Sequence, residues 1–252
     1  MFTNKDYRWY CFLAYTEVNM NIKIDTEGAF GSAIVVLEPG EKFVSEAGAM
    51  YRASPNMSIE VESRRKKDEG LWGAFKSGVK AMFAGESFFL SSYQTSDSAA
   101  AEVGLAPTHQ GEVRKLEVGS DTWICSGGSY LGSSGGIDLD TQYQGLVKGM
   151  FSKEGLVFVR ASGKGDLLVN GFGRISEVSI GNGITIDNGH LIAFTEGLEY
   201  EISKAGGGWI SSMMSGEGLV MKFRGQGKIL VQSHDPSRLG GALGPLLPPR
   251  ES

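Results

Sequence analysis

The chain is poor in the residues on which most catalytic and metal chemistry depends. Among its 252 residues there are two cysteines, Cys11 and Cys125, and three histidines, His109, His190 and His234. No C-x-x-C and no H-x₃-H spacing occurs, so neither a zinc site nor any other metal site is expected. So few thiols suit a reducing compartment. Positive charge is not in excess: 24 Lys and Arg stand against 29 Asp and Glu, a net charge of −5. Nucleic acid is therefore not an expected partner, because neutralising phosphates requires cationic surface. The one basic run, Arg64 to Lys67, is followed at once by Asp68 and Glu69 and reads as a solvated loop. No run approaches the roughly twenty apolar residues of a spanning helix. The aromatic stretch Trp9 to Tyr15 is short and lacks a small-x-small site after it, so it does not read as a signal peptide. There is no nucleophile elbow, P-loop or dinucleotide fingerprint. The glycine strings Gly206 to Gly208 and Gly163-Lys-Gly165 do not open helices, so they offer no helix N-terminus to phosphate. With no catalytic set, neither an enzyme nor a cofactor is expected.

What the chain has in abundance is glycine, 37 in all, and many of these recur at fixed spacing. Gly40, Gly119 and Gly181 each end an apolar run, and Gly48, Gly127 and Gly189 follow eight positions later. From the second set to the third, Gly119 to Gly181, Gly127 to Gly189, Gly163 to Gly225 and Gly165 to Gly227 are all 62 apart. Three apolar segments close on a glutamate, at Glu86, Glu154 and Glu217. Self-similarity of this kind marks a repeated supersecondary unit. The first unit carries about eleven extra residues between Gly48 and Glu86, by the same comparison of spacings. The glycines and glutamates read as turn residues, the carboxylates accepting backbone N–H bonds.

The expected organisation is an appended segment at 1–19, a first β repeat with a helical insertion at 20–110, a second at 111–174, a third at 175–238, and a proline-rich tail at 239–252. Ser32 to Leu37 is a β-branched run stopped by Pro39-Gly40, and Met57 to Glu62 alternates apolar and polar. Ile184 to Gly189, Asp166 to Asn170 and Lys228 to Gln232 read as further strands bounded by glycine turns. The fold class is mainly β: three sandwich- or barrel-like repeats with pseudo-threefold symmetry and one or a few short helices. The helix is expected over 71–83, where Leu71, Trp72, Phe75, Val79, Met82 and Phe83 share one face. Within it Trp72, Phe75, Lys76, Lys80 and Met82 form a candidate membrane or partner contact, with a lid over a sheet end as the competing reading. Asp187 and His190 form a candidate polar cluster, the one place where a general base is conceivable.

Ser45 to Met50, Gly85 to Leu90, Glu154 to Phe158, Ile186 to Phe194, Ser215 to Leu219 and Phe223 to Gln232 together resemble the altered inheritance of mitochondria protein 24 family, over about residues 20–247. The sequence departs from the family's Ser-Gly-Glu-Gly at Ser152-Lys-Glu-Gly155. The resemblance implies units folded like the tryptophan RNA-binding attenuation protein, three per chain, and a homotrimer of nine units in a ring. It implies a non-enzymatic oligomeric scaffold, or a membrane-associated organisation protein, of the mitochondrial biogenesis kind. The alternative is a ring that binds a small ligand or RNA. The expected location is cytoplasmic, at most peripheral at the inner face of a membrane. The expected partners are further copies of the chain and a membrane surface or membrane-protein complex.

Overall fold

The computed structural model describes residues 20–26, 30–63, 89–144, 156–204 and 219–248. The expected helix over 71–83 with its contact residues Trp72, Phe75, Lys76, Lys80 and Met82, and the glutamates Glu86, Glu154 and Glu217, lie outside the described residues.

The described chain is mainly β, and its sheets are antiparallel throughout. A four-stranded sheet has the order β1 (Asn21–Asp25), β2 (Ser32–Leu37), β7 (Ala101–Leu105), β4 (Met50–Ala53). A six-stranded sheet follows the order β5 (Met57–Ser63), β6 (Phe89–Thr95), β3 (Phe43–Glu46), β10 (Tyr130–Ser134), β13 (Gly165–Asn170), β8 (Val113–Val118). A second six-stranded sheet is ordered β11 (Ile137–Gln144), β12 (Leu156–Gly163), β9 (Trp123–Ser126), β16 (Leu191–Thr195), β19 (Ile229–Gln232), β14 (Ile175–Val178). A three-stranded sheet has β15 (Ile184–Asp187), β18 (Leu219–Arg224), β17 (Glu199–Lys204).

Adding six to every strand number of the first six-stranded sheet gives the second in the same order. Subtracting six from its β8-β13-β10 half gives β2-β7-β4, and adding twelve to its β3-β6-β5 half gives β15-β18-β17. A register shift falls at the matching place in each set: between Met50 and Arg52, between Tyr130 and Gly132, and between Leu191 and Ala193. An inserted residue bends a strand and deepens its twist, so these bulges give β4, β10 and β16 the same local bend.

Alternation sets which side chains face inward. In β2, Ala33, Val35 and Leu37 are fully buried, and the residues between them are half-buried. This is the period-two pattern of a strand with one face on a core. Three hydrophobic clusters result. One gathers Val35, Phe43, Tyr93, Val103 and Leu168. A second gathers Cys125, Tyr130, Val159, Leu167 and Ile192. The third holds Phe158, Phe194, Met221, Phe223 and Ile229. Each draws on strands distant in sequence, so the sets of strands share cores.

The two ends of the described chain are anchored differently. Met20 donates its backbone N–H to Asp166 Oδ2 at 3.0 Å, deep inside β13. The other carboxylate oxygen, Oδ1, is 3.2 Å from Lys115 Nζ but makes no hydrogen bond. Across the expected boundary at 238/239 between the third repeat and the tail runs a helix, α1 (Pro236–Leu243), followed by a 3-10 turn at Gly244–Leu246. Asp235 caps α1 by accepting from Ser237 N at 2.8 Å, and Pro236 occupies the first turn, where its missing N–H costs nothing.

Candidate functional site

The most distinctive geometry lies where sheet halves meet. β3 pairs with β10 through Ser45↔Gly132, Val44↔Ser133 and Phe43↔Ser134. β9 pairs with β16 through Cys125↔Ala193, Ile124↔Phe194 and Trp123↔Thr195. At the first junction small residues make room for a large one. A Cβ on Gly132 would stand 2.5 Å from the Phe43 ring. The polar groups there are satisfied: Tyr130 Oη donates to Val44 O at 3.1 Å, and Ser45 Oγ lies 3.1 Å from Tyr93 Oη. The second junction is bridged further by Arg160, whose guanidinium grips Glu196 with Nε to Oε1 at 2.7 Å and Nη2 to Oε2 at 2.9 Å. Lys228 Nζ reaches Asp121 Oδ2 at 2.8 Å alongside it. Cys125 is wholly buried in this junction, and burial pushes its thiol up to about 12, so it is held neutral and unreactive.

At the last residue of β3, burial pushes the Glu46 carboxyl up from 4.5 to about 7. The folded protein therefore favours protonated Glu46. Its contribution is fully present below pH ~4.5 and is lost as the pH rises through about 7. Glu46→Gln should therefore leave stability nearly unchanged at pH 4 and raise it at pH 8. The gain at pH 8 should be roughly 1–3 kcal/mol, allowing for partial exposure. Denaturant melts at the two pH values check this, and an equal effect at both would mean that Glu46 does not titrate in this window.

A second junction feature is built from glycine. Residues 30–31, 111–112 and 173–174 run alongside one another, with parallel bridges Phe30↔Gly111 and Gly111↔Gly173. Gly31 N donates to Gly111 O at 2.7 Å, and Glu112 N to Gly173 O at 2.8 Å. A Cβ on Gly111 would fall 1.9 Å from Gly171 O, and one on Gly31 2.7 Å from Gly111 O. Side chains are excluded at Gly31 and Gly111 because the backbones themselves are in contact there. This stack is absent from the sequence reading, although Gly111 and Gly173 show the same 62-residue offset as the glycines picked out there.

The two outer sheets are halves that lack a partner of this kind. Among the described residues β4 pairs with β7 alone and β15 with β18 alone. Their counterparts β10 and β16, and β3 and β9, each join another half. Burial follows: all five residues of β10 and of β16 are buried, whereas all four of β4 are exposed. An open strand edge presents unpaired N–H and C=O groups and templates addition of another strand.

Positive φ explains some of the turn glycines and not others. Gly40 and Gly48 have φ of 90°, and Gly181 has 54°, the left-handed region that favours glycine. Gly119, Gly127 and Gly189 do not have positive φ. A turn after Ile186 that requires positive φ at Gly189 is thus not what the structure contains. Gly189 sits in a 3-10 turn, Asn188–His190, and a Cβ on it would stand 2.5 Å from the Asp235 carboxyl carbon. Gly189→Val should still cost roughly 1 kcal/mol or more, by displacing the α1 cap rather than by backbone strain. A melting temperature equal to that of the wild type would contradict this.

Asp187 and His190 are close in sequence but are bonded to different partners. Asp187 Oδ1 accepts from Gly189 N at 3.1 Å, and its Oδ2 lies 3.4 Å from Arg238 of α1. His190 Nδ1 is 2.9 Å from Gln232 O, and Gln232 Nε2 donates to Gly189 O at 2.8 Å. Both side chains hold the turn between β15 and β16, His190 against β19, and Asp187 ties α1 to it. Among the described residues no group of three His, Cys, Asp or Glu side chains is placed to hold a metal ion. Nor is any described helix long and apolar enough to cross a membrane.

Short antiparallel strands, glycine-tight backbone contacts and sheets assembled from separate halves define an all-β protein organised around its strand junctions. The chain belongs to the family described as mitochondrial biogenesis AIM24, whose model matches residues 22–234. It is 30% identical over 231 residues to an uncharacterised protein of Streptococcus pyogenes serotype M6, covering 91% of this chain and 92% of that one. A crystal structure of a protein from Streptococcus pyogenes is similar to it with a TM-score of 0.74 at 29% identity, over 91% of this chain and 100% of that one.

Proposed function

We propose that the chain is a non-enzymatic scaffold subunit: three six-stranded units in a row that join head to tail with other copies to close a homotrimeric ring. The units are β2–β7, β8–β13 and β14–β19. The observation that carries this is the pair of unmatched sheet halves. β10-β13-β8 and β5-β6-β3 make one complete sheet, β16-β19-β14 and β11-β12-β9 another. The leftover halves, β4-β7-β2 and β15-β18-β17, are the same two pieces. One copy's β15 added to the next copy's β4 makes a third sheet of the same build. By the registers of the two internal junctions, Thr185 would face Ala53 and Ile186 would face Arg52. Such a contact is heterologous, so it must close into a ring or run on as a fibre.

Light scattering at micromolar concentration should give three times the mass of the chain, unchanged on dilution over a tenfold range. A monomer mass removes the ring. A ring also repeats its weak surface contacts, so they add through multivalency. Trp72, Phe75, Lys76 and Lys80 have the composition of an interfacial segment, and one per copy would give three membrane contacts. Anionic vesicles should then pellet the wild type and pellet a folded, trimeric Trp72→Ser/Phe75→Ser variant less. A wild type that stays in the supernatant leaves a scaffold for proteins alone.

A further inference from the structure

The large hydrophobic side chains exposed among the described residues fall in two places. Five lie between residues 30 and 61, with Phe30 71% and Tyr51 53% exposed. The other four are Leu239, Leu243, Leu246 and Leu247, with Leu246 80% exposed. None lies between them in the chain, across β8 to β19. Leu239 and Leu243 are four apart on α1 and so share one face of it, and Leu246 and Leu247 follow in and just after the 3-10 turn. No residue of α1 is buried, and Leu239 and Leu243 are 40% and 47% exposed, so among the described residues these leucines are left only partly covered.

The position of α1 identifies what covers it. Gly171 N donates to Glu112 O, and Ser233 N, 62 residues on, donates to Arg174 O, itself 62 beyond Glu112. Asp235 and Pro236 therefore hold the place that Gly173 and Arg174 hold before β14, and that Phe30 and Gly31 hold before β2. α1 starts where a following set of strands would start. Arg238 also ties it to Asp187, the last residue of the open-edged β15.

We infer that residues 236–247 form a clasp whose leucine face packs on the first strands of a second copy of this chain, over Phe30. This rests on the head-to-tail reading and adds to it a contact beyond the strand pairing. Each exposed apolar group then has the other as its cover, which the described residues of a single copy do not provide. The two groups lie on opposite ends of the row of strands, so a copy cannot cover its own.

The test is the subunit concentration at half-assembly, measured for the full chain by light scattering or sedimentation. Leu243→Asp/Leu246→Asp should raise it tenfold or more while leaving the circular dichroism spectrum unchanged, because the replaced side chains are exposed. Phe30→Asp should raise it by a similar factor, and the combined variant should raise it above the wild-type value by less than the product of the two single effects, the sign of a direct contact. If the leucine variant assembles as the wild type does, the clasp is wrong and the strand junction still stands. If the leucine variant assembles normally but no longer pellets with anionic vesicles that the wild type binds, the face serves lipid and the clasp is overturned. A wild type that is monomeric throughout overturns both readings.

Discussion

Gly111→Ala should be among the most damaging single substitutions in the chain, lowering stability by roughly 3 kcal/mol or more, or about 6–12 °C in melting temperature. The added methyl group would lie 1.9 Å from Gly171 O and 2.5 Å from Gly173 N. Both are backbone atoms, so no side chain can rotate away, and relief requires moving two chain segments apart. That movement breaks the bonds that hold residues 110–112 to 171–173, among them Gly171 N to Glu112 O at 3.0 Å and Gly173 N to Gln110 O at 2.9 Å. The φ of Gly111 is not positive, so the loss comes from contact alone. Gly128→Ala is the matched control. A Cβ there meets nothing within 4 Å and the φ is not positive, so its melting temperature should stay the same or rise slightly. Equal melting temperatures for the two variants would mean that the glycine stack is not a close backbone contact.

Phe223→Ala should cost about 3–5 kcal/mol in denaturant unfolding. Phe223 is 1% exposed on β18, the middle strand of the three-stranded sheet. Its ring is 5.1 Å from Phe194 and 5.9 Å from Tyr200, and Phe194 stands edge-on to Phe158 at 5.9 Å. The three phenylalanines come from β12, β16 and β18, so one truncation opens a cavity shared by two sheets. Because β18 is the only partner of β15 among the described residues, this variant should also lose assembly at concentrations where the wild type is a ring. Retained stability would show that the cluster can collapse around the void.

The β class and several strands were legible in the sequence because alternation and glycine punctuation are local signals. Ser32 to Leu37 appears as β2 with those bounds, and the strand read within Ile184 to Gly189 appears as β15, Ile184–Asp187. The spacing of 62 was also legible, and it connects Gly111 to Gly173 just as it connects Gly119 to Gly181. What alternation cannot report is which strand lies beside which. The pairing of β3 with β10 joins residues about ninety apart and depends on how whole sheets divide, so the open halves came only from the structure. α1 was not legible because Gly240, Gly241, Gly244 and Pro245 made residues 239–252 read as a tail, with the boundary set inside the helix, three residues beyond its cap at Asp235. The Asp187 and His190 pair shows the converse. Proximity in sequence suggested a polar site, but the side chains turn to Arg238 and to the Gln232 carbonyl.

The head-to-tail junction is tested most directly by a disulfide across it. With Cys11 replaced by serine, Thr185→Cys/Ala53→Cys places one thiol on β15 and one on β4, at positions that the internal registers set opposite each other. Both native side chains are exposed, so neither substitution disturbs a core. On mild oxidation the double variant should run on a non-reducing gel as covalent dimers and trimers that stop at three copies, and each single variant should remain one chain. A double variant that stays uncrosslinked, or that forms its bond within one chain, would contradict the ring.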